Sequence, residues 1–195
     1  MIKEISRQRK EDRETEFFVH PQKFVLWLFI VASVMLFAAF TSAYIVRRGE
    51  GNWLIFDLPQ LFKYNTFILV LSSVSIHWAY FSAKQDNVFR VKLGLIITLM
   101  LGATFGIAQW FAYKELVGEK IFLTGNPAES FIYVITFVHL IHIVAGMLLV
   151  SLVAWKAWRY EVHKKNLLSI NICVTYWHFL GALWIYLYFF FLLNR

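Results

Sequence analysis

Apolar residues in this chain fall in long unbroken runs. They show neither the three-four spacing of a surface helix nor the alternation of a half-buried strand. Five runs stand out, at 24–46, 64–83, 93–113, 130–155 and 168–193. A helix rises about 1.5 Å per residue, so each run suffices for a hydrocarbon core of about 30 Å. None of the runs contains Asp, Glu, Lys or Arg. The pattern predicts an all-α integral membrane protein, a bundle of five transmembrane helices occupying 23–195. Residues 1–22 are charged with mixed sign and read as a surface helix or solvated tail on the cytoplasmic side.

The run at 130–155, SFIYVITFVHLIHIVAGMLLVSLVAW, carries His139 and His142 near its middle, with Gly146 one turn later. At helical spacing the three share roughly one face. Imidazoles at membrane depth need partners for both a donor and an acceptor, so that face must look into protein, a bound group or water. His77 in the second run and His178 in the fifth pose the same problem.

Loop charge sets the expected orientation. Thirteen of the nineteen Lys and Arg residues lie in the N-terminal segment and the second and fourth loops, and six lie on the opposite side. The bias predicts a cytoplasmic N-terminus and an external C-terminus. The formal charge of +7 then reflects membrane orientation, because the basic residues flank apolar runs, and nucleic acid is not an expected partner. The hydrophobic share of 59% exceeds that of soluble domains and supports the same class. One cysteine, Cys173, allows neither an internal disulfide nor a thiolate cluster. The first run is too long for a signal peptide core, so it is expected to remain in the mature chain.

Without carboxylates at membrane depth, an ion pump or a metal hydrolase carried by this chain alone is not expected. Two readings of His77, His139, His142 and His178 remain. One is haem ligation, as in a dihaem membrane cytochrome b. The other is hydrogen bonding to neighbouring helices, lipid or water. Two haems would want two separated levels of paired imidazoles, and the depths of these four do not divide that way. Gly102 and Gly106, in GATFG, and Ala39 with Ala43 mark faces where another helix can approach closely. The aromatic run in 176–191 is expected to serve mostly as interfacial anchoring and lipid-facing bulk, and Trp53 as an interfacial anchor.

Two of these stretches also carry a family resemblance. FVHLIHIVAG resembles the F-x-H-x-x-H-[VI]-x-x-G pattern of subunit III of the haem-copper terminal oxidases. YWHF followed by LWIYLY, containing Trp177 and His178, resembles that family's Y-W-H-F-x-D-x-x-W motif. WLFI and TSAYIVRRG bracket a first span similar to the helix that opens the conserved half of the subunit. The resemblance implies a non-catalytic subunit of a respiratory complex, most simply a cytochrome c oxidase. Quinol oxidase subunits and the accessory protein of nitric oxide reductases share the short form.

It further implies that haem and copper reside in partner subunits I and II, that this chain holds no cofactor of its own, and that it binds phospholipid and supports proton uptake and durability in turnover. The expected location is the bacterial cytoplasmic membrane. His77, His139, His142, Gly146, Trp177, His178, Gly102 and Gly106 are then structural, lipid or interface positions rather than catalytic or metal-binding ones. Three departures stand out. The two N-terminal helices of longer members are missing, Ser33 stands where a buried glutamate is common, and Gly181 stands where an aspartate is common. The orientation is checked by reporter fusions at the two termini, which should report opposite sides of the membrane; both on one side would mean a miscounted span.

Overall fold

The computed structural model describes residues 20–55, 57–160 and 167–194. The charged segment expected to form a surface helix lies, apart from its last residues, outside these described residues, as does part of the loop after the fourth helix. Within them the chain forms five helices: α1 Pro21–Gly49, α2 Gln60–Lys84, α3 Val88–Gly118, α4 Pro127–Trp158 and α5 Leu168–Asn194. Each is long and apolar enough to cross a membrane, and all five coincide with the runs read from sequence.

The helices overhang those runs by several residues because polar turns at their ends supply caps. Pro21 starts α1 within its first turn, where a missing N–H costs nothing. Asn87 caps α3 by accepting from Arg90 N at 3.2 Å. Asn126 and Glu129 form a capping box that starts α4 three residues before the apolar run. The buried Glu129 carboxylate also accepts from Phe122 N at 3.2 Å and Asn126 N at 3.1 Å, which folds the preceding turn over the helix end. A side chain at Gly125 would collide with that carboxylate.

Helices α2, α3, α4 and α5 form a ring in which each touches its two neighbours, and α1 packs in the groove between α4 and α5. No backbone contact joins α2 to α4 or α3 to α5 among the described residues, so the ring has two open diagonals that side chains must fill. The closest approach is between α2 and α3. A Cβ added at Gly94 would lie 2.8 Å from Ala79 Cβ and 3.2 Å from Ala79 Cα, and the adjacent Ser75 hydroxyl donates to Gly94 O at 2.9 Å. Small residues let the backbones meet, as membrane helices require when no hydrophobic drive separates protein from lipid.

One expectation is corrected here. More than half of the aromatic run of the last span is core rather than lipid-facing bulk: Tyr176, Trp177, Trp184, Phe190 and Phe191 are buried, while Tyr186 and Phe189 face outward. The reason is position, since α5 touches α1, α2 and α4 and is the most buried of the five helices. Trp53 is half-buried at the end of the bundle. Its ring packs at 4.6 Å on Tyr44 and 6.4 Å on Phe131, and Asn126 ties the same loop down by accepting from Leu54 N and donating to Asn52 O. The outer face of α1, with Phe24, Leu28, Val31 and Met35, is exposed and apolar, as a lipid-facing or subunit-facing surface would be.

Gly94→Ala should destabilise the bundle by about 1–3 kcal/mol, since the clash is with backbone and a Cβ that cannot yield. Gly118→Ala, with nothing within 4 Å of the added carbon, should change stability by less than about 0.5 kcal/mol. Unfolding of the purified protein in mixed detergent–SDS micelles measures both; equal effects would refute the packing account.

Candidate functional site

The side chains that close the two diagonals also make the polar centre of the bundle. Trp177 extends from α5 across to α3, where Gly102 leaves room: a Cβ there would sit 3.0 Å from Trp177 Cη2 and 3.3 Å from Met147 Cγ. Gly146 of α4 leaves room on the other side, with Trp177 Cε3 at 3.3 Å and Leu180 Cδ1 at 2.8 Å from an added Cβ. The indole N–H donates to Ser72 Oγ at 3.0 Å, and Ser72 donates to Leu69 O at 2.7 Å. Gly106, by contrast, has only an ordinary neighbour, Leu140 Cδ1 at 3.9 Å. Of the GATFG pair, Gly102 alone makes a close internal contact.

About two turns toward the C-terminal end of α5, Trp184 makes a similar indole-to-hydroxyl bond to α2. Its N–H donates to Thr66 Oγ1 at 3.1 Å, its face stacks on His139 at 5.2 Å and 30°, and the Phe105 ring meets it edge-on at 5.0 Å. His139 is fully buried beneath this cover. Asn65 of α2 and Gln109 of α3 are fully buried as well, with Asn65 Nδ2 donating to Gln109 Oε1 at 2.8 Å. A turn further along α3, the Tyr113 hydroxyl bonds Thr136 Oγ1 at 2.9 Å. Asn65 and Gln109 escape a sequence reading built on charge and histidine, although an amide inside an apolar run is itself a signal.

His142 parts company with His139. It is half-buried, turned toward α1, with its ring 5.4 Å from Phe37 and 6.0 Å from Phe29. Its Nδ1 pairs with Val138 O at 2.8 Å, and Tyr176 donates to His142 O at 3.3 Å. Three residues along a helix is a 60° offset, enough to send one imidazole inward and the other to the α1 contact. His77 and His178 do meet, Nδ1 to Nε2 at 3.3 Å, in a groove of about 580 Å³ between α2 and α5 lined by Ser73, Trp78, Phe81 and Gly181. That contact is a direct hydrogen bond, and no second facing pair of imidazoles forms, so the four histidines do not present the two opposed pairs a dihaem protein needs. Among the described residues no three His, Cys, Asp or Glu side chains come together as a metal-ligand group.

The two positions that depart from the resemblance are accommodated locally. Ser33 is buried and donates to Phe29 O at 2.9 Å, so its hydroxyl asks nothing of a neighbour. Gly181 is buried, with Ser73 Oγ 3.1 Å from where a Cβ would stand. At the opposite end, Ala39, Ala43, Val46, Phe131 and Val134 line a groove of about 870 Å³ between α1 and α4, apolar in its depth, with Arg47 and Glu50 paired at 2.9 Å at its mouth.

A family model for cytochrome c oxidase subunit III matches residues 54–194. The cytochrome c oxidase subunit 3 of Thermostichus vulcanus is 30% identical over 181 residues, covering 87% of this chain and 86% of that protein. The cytochrome bo(3) ubiquinol oxidase subunit 3 of Buchnera aphidicola subsp. Schizaphis graminum aligns over 100% of this chain and 98% of its own length at 25% identity. The cytochrome c oxidase subunit 3 of Yarrowia lipolytica is 28% identical over 135 residues, a match covering 68% of this chain and 47% of that protein.

The buried amide pair yields a test of the polar centre. Gln109→Leu alone strands Asn65 and should cost about 1–3 kcal/mol. Adding Asn65→Leu should cost less than its effect in the parent protein, with a coupling of about 0.6 kcal/mol typical of such pairs in membranes. A double-mutant cycle by SDS unfolding measures the coupling; strict additivity would show the amides to be independent.

Proposed function

The chain belongs to the cytochrome c oxidase subunit III family, and from that premise we propose that it is the non-catalytic subunit III of a proton-pumping terminal oxidase of the cytochrome c type. A haem-copper oxidase subunit III works within a complex of oxidase subunits. The partners in this reading are subunits I and II, which hold the haem and copper, in a bacterial cytoplasmic membrane with the N-terminus inside. The observation that carries it is the match to the Thermostichus vulcanus protein over most of both chains. A quinol oxidase subunit III is the second reading, favoured by the end-to-end alignment with the Buchnera aphidicola protein.

The geometry agrees with a supporting role. The polar side chains of the bundle centre face one another across α2, α3, α4 and α5 and serve to hold those helices together. The apolar runs contain no Asp, Glu or Lys, and of their histidines only His77 and His178 meet, which gives no continuous proton relay across the bilayer within this chain. Influence on proton traffic is then indirect, through the field of the basic cytoplasmic loops on the mouth where protons enter the catalytic subunit. The α1–α4 groove suits a phospholipid. Its apolar depth takes an acyl chain, and the Arg47–Glu50 ion pair at the mouth suits a zwitterionic headgroup.

The test compares matched complexes with and without the chain. Oxygen reduction should begin at a similar rate in both, because the redox centres lie elsewhere. The stripped complex should take up protons more slowly at high pH and inactivate sooner during turnover. A stripped complex inactive from its first turnover, with haem and copper intact, would overturn the reading. Identification of the co-purifying chains, and their reduction by cytochrome c or by quinol, separates the two oxidase types.

A further inference from the structure

Among the described residues, five buried side-chain nitrogen or oxygen atoms have no hydrogen-bond partner in the protein, and four of them belong to three residues: Asn65 Oδ1, Gln109 Nε2, and both ring nitrogens of His139. The three come from three different helices and lie at one level of the bundle. Phe105 and Tyr113 flank Gln109 at four-residue spacing on α3. The Phe105 ring meets His139 at 6.1 Å, while the Tyr113 hydroxyl meets Thr136, three residues before His139. Gln109 therefore faces the stretch of α4 between Thr136 and His139. Asn65 is held to Gln109 directly, and its neighbour Thr66 holds the Trp184 indole that stacks on the His139 ring.

We propose that this centre is a water-binding site, with at least one ordered water bound among Asn65, Gln109 and His139. The donors and acceptors left over balance. Asn65 Oδ1 offers an acceptor, a neutral imidazole one donor and one acceptor, and Gln109 Nε2, whose amide also interacts with the Tyr113 hydroxyl, a further donor. Exchanging the oxygen and nitrogen of both amides leaves the same tally. A water molecule donates twice and accepts twice, and buried waters characteristically make about three bonds to otherwise unpaired groups. The two imidazole nitrogens point to different sides of the ring, so one water reaches one of them and a second completes the other. Aromatic rings cover His139, with Trp184 stacked on its face and Phe37 and Phe105 set across it at steep angles, and none of the three supplies a partner for its ring nitrogens. The set contains no carboxylate or cation to hold an ion, so the ligand is neutral. The water spans the α2–α4 diagonal, which no backbone contact closes.

The chain supplies its own dry control. Trp177 and Trp184 are each 1% exposed. Trp177 bonds Ser72, which bonds Leu69 O, and that environment leaves nothing for water to satisfy. Radiolytic hydroxyl labelling of the purified complex in ¹⁸O-enriched water, read by mass spectrometry, samples water bound beside buried side chains. Trp184 and His139 should label several-fold faster than Trp177; labelling of Trp184 as slow as that of Trp177 would overturn the site. In the Asn65→Leu/Gln109→Leu variant, Trp184 should fall to the rate of Trp177. Fast labelling that survives the double change would also overturn the site, by showing access that does not depend on these ligands. If the variant does not accumulate, the comparison of the two tryptophans in the parent complex still decides.

Discussion

Hydrocarbon offers no hydrogen bonds, and that constraint organises this bundle more than any apolar contact does. A polar atom inside a membrane helix must find its partner in protein or in trapped water. Serine and threonine meet the demand within their own helix: Ser33, Thr41, Thr98 and Thr136 each donate to a carbonyl one turn back. The larger groups must reach across. Trp177 and Trp184 carry an N–H from α5 to hydroxyls on α2, and Trp177 in crossing the bundle fills the space that Gly102 on α3 and Gly146 on α4 leave open. Those glycines and Trp177 are one device, since neither is useful without the other.

The four histidines show how varied the answers to one constraint can be. His142 uses the backbone carbonyl of its own preceding turn, and His77 and His178 use each other. His139, the deepest, has only aromatic rings for company and depends on what lies at its edge. Equal residue type and similar depth did not make equal environments. What separates them is angular position on the helix and which neighbour that angle faces.

Five spans and their approximate limits were legible because run length and charge-free composition are direct consequences of bilayer thickness. His139, Gly146, Trp177 and His178 were singled out by motif spacing. Their partners were not: nothing local tells that His178 meets His77 while His139 meets Trp184, because those pairings depend on helix rotation about axes the sequence does not state. The burial of the α5 aromatics was misjudged for a related reason. A last helix that looks peripheral in sequence stands in the middle of this bundle, where a run rich in Phe, Tyr and Trp is core volume. Asn65 and Gln109 were overlooked because uncharged amides barely dent an apolar run, yet inside the bundle they are among the few groups that must be paired.

The central place of α5 has a consequence for how the chain is made. Ribosomes deliver the helices in order, and α1 touches neither α2 nor α3. The α1 span therefore waits in lipid with neither α2 nor α3 as a lasting neighbour until α4 arrives. Its hydroxyl links to the bundle, Thr41 to Tyr186 and Tyr44 to Asn194 O, wait longer still, for the C-terminal half of α5. Consolidation is thus held back until α5 is in place. A chain stopped a dozen residues early would already contain all the glycines and histidines of the bundle, and would still lack the piece that turns a row of inserted helices into one body.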